Sequence, residues 1–352
     1  MGERRVLKKS SIGFEAEFFT INNSGYITNA ADRILKLVKR KSESLAWKEC
    51  AHNMIEIGSY PKEGVQHTME NLIAEIETVI AITEKEDVHL CPLGAYPGRF
   101  NPEMRADKPY MIKSYIFGRQ RFKIAGRCIG FHCHYTLPRG IFDSQMRVLK
   151  ILVNSKIKDS VVNSYNLLIA ADPALTTLMQ SSPFYQGRLF GKDARVIMYR
   201  GGEDFSNKNG LYANYEEFGC LPPYKLTALD IVDLITTRYE KWKAKIKSLG
   251  INIKLLPLYG SVLNTTWAPV KVNPHGTLEQ RGMDMNHPGH IMGVGTIINY
   301  LLKKLQEEDK KAPIRPYTNY KSHPYVADRI RMVKQELSGE VDFNDYMNKG
   351  VE

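Results

Sequence analysis

Polar residues spaced two apart interrupt apolar, β-prone stretches at several places, and longer segments between them repeat at helical spacing. Residues 12–20 (I-G-F-E-A-E-F-F-T) alternate around two acids and predict a strand. Residues 128–136 (C-I-G-F-H-C-H-Y-T) and 276–284 read the same way. Residues 29–40 predict a helix. A clearer one spans 63–86, where Val65, Met69, Leu72, Ile76, Val79 and Ile80 fall on one face. Helical patterns also run through 143–180 around Leu149, Ile151, Leu167 and Leu168, through 227–248 up to Gly250, and through 289–307. Segments 187–225 and 309–324 are rich in Gly, Pro, Asn and Lys and predict loops. Strands and helices intermingle without regular βαβ alternation, so the expected class is α+β with an antiparallel sheet. No linker-like stretch divides the chain, and 1–352 is expected to form a single domain.

Composition narrows the class without naming a function. The 352 residues are 43% hydrophobic and 25% charged, which excludes a disordered tail, a collagen-like fibre and a small disulfide scaffold. No apolar run approaches the roughly 20 residues that span a bilayer. The basic start, M-G-E-R-R-V-L-K-K-S-S, leads into no apolar core of a secretory signal, and neither does it fit myristoylation. Five spread cysteines (Cys50, Cys91, Cys128, Cys133, Cys220), with no C-x-x-C, suit reducing cytosol. The formal charge of +11 suits a nucleic acid, an anionic membrane surface or phosphate-bearing small molecules equally. Its only clusters are short, such as Lys36 to Lys41, and read as solvated surface.

Candidate chemistry lies in the strand pairs. Residues i and i+2 of a strand share a face, so Glu15 with Glu17, His132 with His134, and Glu279 with Arg281 each project together. Asp284 follows the third pair. Glu49 and Glu56 bracket a fourth candidate, E-C-A-H-N-M-I-E-I. Neighbouring carboxylates on one face repel and are costly to bury without a cation. That cation is either Arg or Lys, giving a structural ion network, or a metal such as Mg²⁺ or Mn²⁺.

At these residues the chain resembles the type 2 glutamate–cysteine ligase and carboxylate–amine ligase family of the glutamine synthetase superfamily. The resemblance is carried by G-F-E-A-E-F, the E56-I-G-S segment, the G-x-H-x-H strand, S-S-P-F-Y-Q-G-R at 181–188 and G-T-L-E-x-R-x-x-D, in family order from about 12 to 290. It implies a glutamine synthetase-like curved antiparallel sheet with flanking helices, whose concave face holds ATP and divalent cations. By this resemblance Glu15 and Glu56, with Glu49 nearby, are ligands of one metal. Glu17, His132 and Glu279 are ligands of the metal that bridges the ATP phosphates. His134 approaches those phosphates, and Arg281 neutralises the transferred phosphoryl group. Arg195 is held near the acid substrate, with Arg188 and Arg200 as alternatives.

The implied activity is ATP-dependent amide formation between an amino-acid carboxylate such as glutamate and an amine such as cysteine, as in glutathione biosynthesis. Small-molecule partners, no nucleic acid and no membrane are expected, in the cytoplasm; a homo-oligomer is left open. Glu279→Ala or His132→Ala is expected to abolish ATP turnover with the fold intact. One departure concerns the pocket: where relatives carry an arginine three residues after a tryptophan, Trp267 is followed by Val270, and the nearest base is Lys271. Lysine cannot reproduce a planar bidentate contact. The competing readings are a phosphotransferase on the same fold, a basic nucleic-acid-binding protein and a non-catalytic scaffold.

Overall fold

A computed structural model describes residues 10–307 apart from 139, 151–155, 204, 255 and 257–260. Its centre is a seven-stranded antiparallel sheet built from β1 (Ile12–Asn22), β2 (Ala46–Lys48), β3 (Met54–Gly58), β4 (Val88–Cys91), β5 (Gly130–Thr136), β6 (Val270–Asn273) and β7 (Thr277–Asp284). The order is β6-β7-β5-β1-β3-β2. Strand β4 extends the β5 side of β1, since Phe19 pairs with Met54 on one side and Cys91 on the other.

The alternation gives the sheet two unlike faces. Phe14, Ala16, Ile55, Ile57, Phe131, Cys133, Tyr135, Val270, Val272 and Leu278 are buried on one face. Helices α2 (Val65–Thr83), α4 (Lys156–Leu178) and α7 (Pro288–Glu307) pack against these strands. Full burial of each large apolar side chain stabilises the sheet by about 1.5–3 kcal/mol. Glycine at 295 lets α7 lie close: a Cβ there would stand 2.6 Å from the Phe14 ring. The opposite face carries the polar members of every strand pair.

Helix α2 buries Val65, Met69, Leu72 and Val79 as their spacing predicts, whereas Ile80, one residue past Val79, turns outward and is 36% exposed. Helix α1 (Ala31–Lys41) buries Ala31, Ile34, Leu35 and Val38 and leaves Lys36, Lys39, Arg40 and Lys41 exposed. Three of those bases occupy its last turn, where the helix dipole favours cations. The predicted 143–180 helix begins only at Lys156. Residues 142–149 instead form a small ribbon, because Asp143 Oδ1 accepts from the backbone of Gln145 and Met146 and closes a turn. Ile151 and the predicted loop at 309–324 lie outside the described residues.

Within 187–225, expected as loop, Ala194–Arg200 forms a short helix, α5. Asp193 caps it by accepting from Val196 N at 2.8 Å. Helix α3 (Lys108–Phe117) and the strands β2, β4 and β6 carry no expectation, being short or weakly patterned, while β3 holds Glu56 of the fourth candidate segment. Helix α6 (Ala228–Ser248) opens with a capping box between Thr227 and Asp230. Among the described residues, no helix is long and apolar enough to cross a membrane. All five cysteines are free thiols, and burial pushes Cys50, Cys128 and Cys133 upward.

Candidate active site

Antiparallel pairing turns the strand pairs into one polar array. Glu15 lies opposite His132, Glu17 opposite Glu56, and Glu279 between His134 and Lys271. Directly opposed residues share a face, so all seven groups project from the same side of the sheet. His132 Nδ1 donates to Glu15 Oε2 at 3.1 Å, and its Nε2 lies 3.6 Å from Glu17. His134 Nε2 approaches the same Glu15 oxygen at 3.1 Å, while its Nδ1 meets Thr277 Oγ1 at 3.0 Å. Glu279 accepts from Asn273 Nδ2 at 2.6 Å and is flanked by Lys271 Nζ at 3.4 Å and Arg281 Nε at 3.6 Å.

A β-bulge between Gln280 and Met283 sets Arg281 out of register. Its freed carbonyls do not go unpartnered: Arg195 donates to Gly282 O at 3.0 Å and to Arg281 O at 3.2 Å. Beyond the bulge, Asp284 accepts from Ser181 N at 3.0 Å and Ser182 Oγ at 2.6 Å, tying the S-S-P segment to the end of β7. Gly94 is needed beside this clasp, because a Cβ there would stand 2.1 Å from the Asp284 carboxyl carbon. Gly94→Ala is expected to cost about 1–3 kcal/mol by overpacking, read as a lower denaturant midpoint at unchanged slope.

The polar array floors a cavity of about 700 Å³. Glu15, Glu17, Glu49, Glu56, His132, Lys271, Asn273, Glu279 and Arg281 line it, together with Tyr110 and Lys113 of α3, and Tyr199, Tyr212 and Trp267. Two groups of ligand atoms each fall within 4.8 Å of one another: Glu15 with Glu56 and His132, and Glu15 with His134 and Glu279. The first brings Glu15 and Glu56 together, with His132 beside them. The second groups His134 with Glu279, where Glu17 and His132 had been expected.

The electrostatics divide the acids. Burial works against ionisation of Glu15, yet His134 and His132 hold its carboxyl well below the usual range. Burial likewise opposes ionisation of Glu279, but Lys271 and Arg281 hold it below its ordinary value. Burial pushes Glu17 upward despite His132. Burial, then Glu15 and Glu49, push Glu56 well above the usual range, and Glu56 also hydrogen-bonds Glu49. For these two acids the nearby positive charge does not offset burial, and His132 Nε2 is buried without a hydrogen-bond partner. Oxygen-rich donors with imidazole suit Mg²⁺ or Mn²⁺, so the residues present fit a divalent cation.

Of the remaining expected residues, Arg195 sits beneath the bulge with its guanidinium 5.1 Å from the Tyr199 ring, and is not among the cavity-lining residues. Arg200 pairs with buried Asp172 at 2.7 Å, and Arg188 is exposed on a small ribbon. Val270 belongs to the apolar face, and the next residue, Lys271, to the polar one. Asn273 repeats the i, i+2 alternation from Lys271 and was legible on that ground. Lys113, Tyr110, Tyr199 and Tyr212 carried no such signal.

The sheet, its polar face and the cavity above it define a fold of the glutamate–cysteine ligase type. A family model for glutamate–cysteine ligase family 2 matches residues 11–342, and the chain belongs to that family. Among solved structures, it is similar to a glutamate–cysteine ligase from Francisella tularensis in complex with AMP, with TM-score 0.57 and 13% identity over 94% of this chain and 72% of that one. It is also similar to a bifunctional glutathione synthetase from Pasteurella multocida, with TM-score 0.53 and 12% identity over 96% of this chain. This chain spans 46% of the Pasteurella protein, about half its length. No curated protein matches it in sequence.

Proposed function

We propose that the protein is an ATP-dependent carboxylate–amine ligase that activates an amino-acid carboxylate such as glutamate and joins it to an amine such as cysteine. The observation that carries this reading is the single array of seven acid, imidazole and lysine groups on one face of the sheet, all of which but His134 line the cavity together with Arg281. Such a floor suits a polyphosphate and a carboxylate that must be brought together against their repulsion. The Francisella relative is a complex with AMP, which supports nucleotide binding by this chain.

In the first step a carboxylate oxygen attacks the γ-phosphorus of ATP, the bond to the β-phosphate oxygen breaks, and ADP leaves an acyl phosphate behind. The amine nitrogen then attacks the acyl carbon, phosphate departs with the bonding pair, and the amine loses a proton. Catalysis of this kind depends on alignment and charge neutralisation. Glu15, Glu56, His132, His134 and Glu279 are the proposed metal-holding groups, with Glu17 and Glu49 beside them. A divalent cation held there supplies charge neutralisation at phosphate oxygens. Arg281 offers charge-assisted contacts to the transferred group. Lys271 holds Glu279 in place, and Arg195 positions Arg281 through the bulge carbonyls.

An ADP-release screen over amino acids and amines, with Mg²⁺ and Mn²⁺ and products weighed by mass spectrometry, tests the reading. Acid-dependent ADP release with an amide product is expected. A phosphorylated small molecule as final product would instead assign a phosphotransferase, and no acid-dependent release across a broad panel would overturn the ligase reading.

A further inference from the structure

Among the cations that line the cavity, Lys271 Nζ and Arg281 Nε stand beside Glu279, and Lys108 is exposed. Lys113 is held differently. Its Nζ stands 4.3 Å from the Trp267 ring centroid and 5.2 Å from that of Tyr110, with no hydrogen bond or ion pair among the described residues. The tryptophan is itself fixed: Phe117 meets it edge-on at 6.0 Å, Tyr212 stacks at 6.3 Å and the fully buried Trp242 lies at 5.2 Å. Helix α3 buries Ile112, Ile116 and Phe117, which orients Lys113 into the cavity. Burial also lowers its ammonium to about 8.

We propose that Lys113, clamped on Trp267 and Tyr110, is a specificity-determining residue that binds the second carboxylate of a dicarboxylic acid substrate, the one that is not activated. This rests on the ligase reading above. An acid whose reacting carboxylate lies by Arg281 brings any second carboxylate into a cavity lined by five glutamates, so that group needs a cation of its own. Lysine supplies a compact charge with three donors. Its stacking on two rings has already removed much of the freedom that binding would otherwise restrict. The same rings offer apolar surface to the methylenes between the two carboxylates.

The test compares the wild-type protein, Lys113→Met and Lys113→Gln on acids differing by one carboxylate: glutamate against 4-aminobutyrate, and glutarate against butyrate. ADP release is followed with Mg²⁺ and saturating amine. The wild type is expected to prefer the dicarboxylates. Loss of a charge-assisted hydrogen bond predicts a KM for them raised about 10- to 100-fold in either variant, with KM for ATP and for the monocarboxylates unchanged. Unchanged discrimination in a folded variant, no preference in the wild type, or a rise confined to KM for ATP would overturn the assignment of Lys113 while leaving the ligase reading standing. No ADP release by the wild type with any acid overturns that reading and this one with it. Lys113→Gln keeps the test open should Lys113→Met not fold.

Discussion

Glu15→Gln is expected to lower metal-dependent ATP turnover by about 10²–10³-fold, the effect of losing one preorganised charge-stabilising group. Glu15 is shared by both groups of ligand atoms, so one substitution impairs both. It is also the anion that favours a proton on His134, and a protonated imidazole cannot act as a metal ligand. In the wild type a divalent cation must compete with that proton; in the variant the competition eases, yet the charge that would hold the cation is gone. Stability should respond quite differently. Glu15 is partly open to the cavity, glutamine still accepts from His132, and the repulsion that Glu15 exerts on Glu56 disappears. The metal-free variant is therefore expected to melt within a few degrees of the wild type, while the rise in melting temperature produced by Mn²⁺ is lost. Normal turnover together with a normal Mn²⁺ response would remove Glu15 from the metal-holding set.

The floor of this site was legible because it obeys a period of two. Glu15 and Glu17, His132 and His134, and Glu279 and Arg281 announce themselves as polar pairs inside apolar strands, whereas the pairing that aligns them joins strands far apart in the chain. The bulge at Arg281 was not legible, since a one-residue displacement leaves no mark in an alternation that ends three residues later. Nor was the wall. Lys113 reaches the cavity from a ten-residue helix of mixed pattern, and its contact with Trp267 joins positions far apart in the chain. Arg195 shows the opposite difficulty. Its place in G-K-D-A-R marked it as a substrate contact, but the carbonyls it serves exist only because the bulge frees them.

Glu279→Ala should cost far more in stability than the sequence implied, about 3–5 kcal/mol, because it removes one partner from a buried ion network. Glu279 is 2% exposed and Lys271 7%, so truncation strands an ammonium beside a guanidinium and takes the acceptor from Asn273 Nδ2. The expectation of an intact fold thus passes to Glu279→Gln, which retains an acceptor for Asn273. Adding Lys271→Met to Glu279→Ala should recover part of the loss by removing the stranded charge. The pH dependence has a definite sign. A carboxyl held below its ordinary value stabilises the folded state fully above the unfolded pKa and loses that contribution as pH falls. The gap in unfolding free energy between wild type and Glu279→Ala should therefore be constant near neutrality and shrink below about pH 4. Denaturant titrations at several pH values measure it, and a gap that stays level down to pH 3 would mean that Glu279 is not held ionised by Lys271 and Arg281.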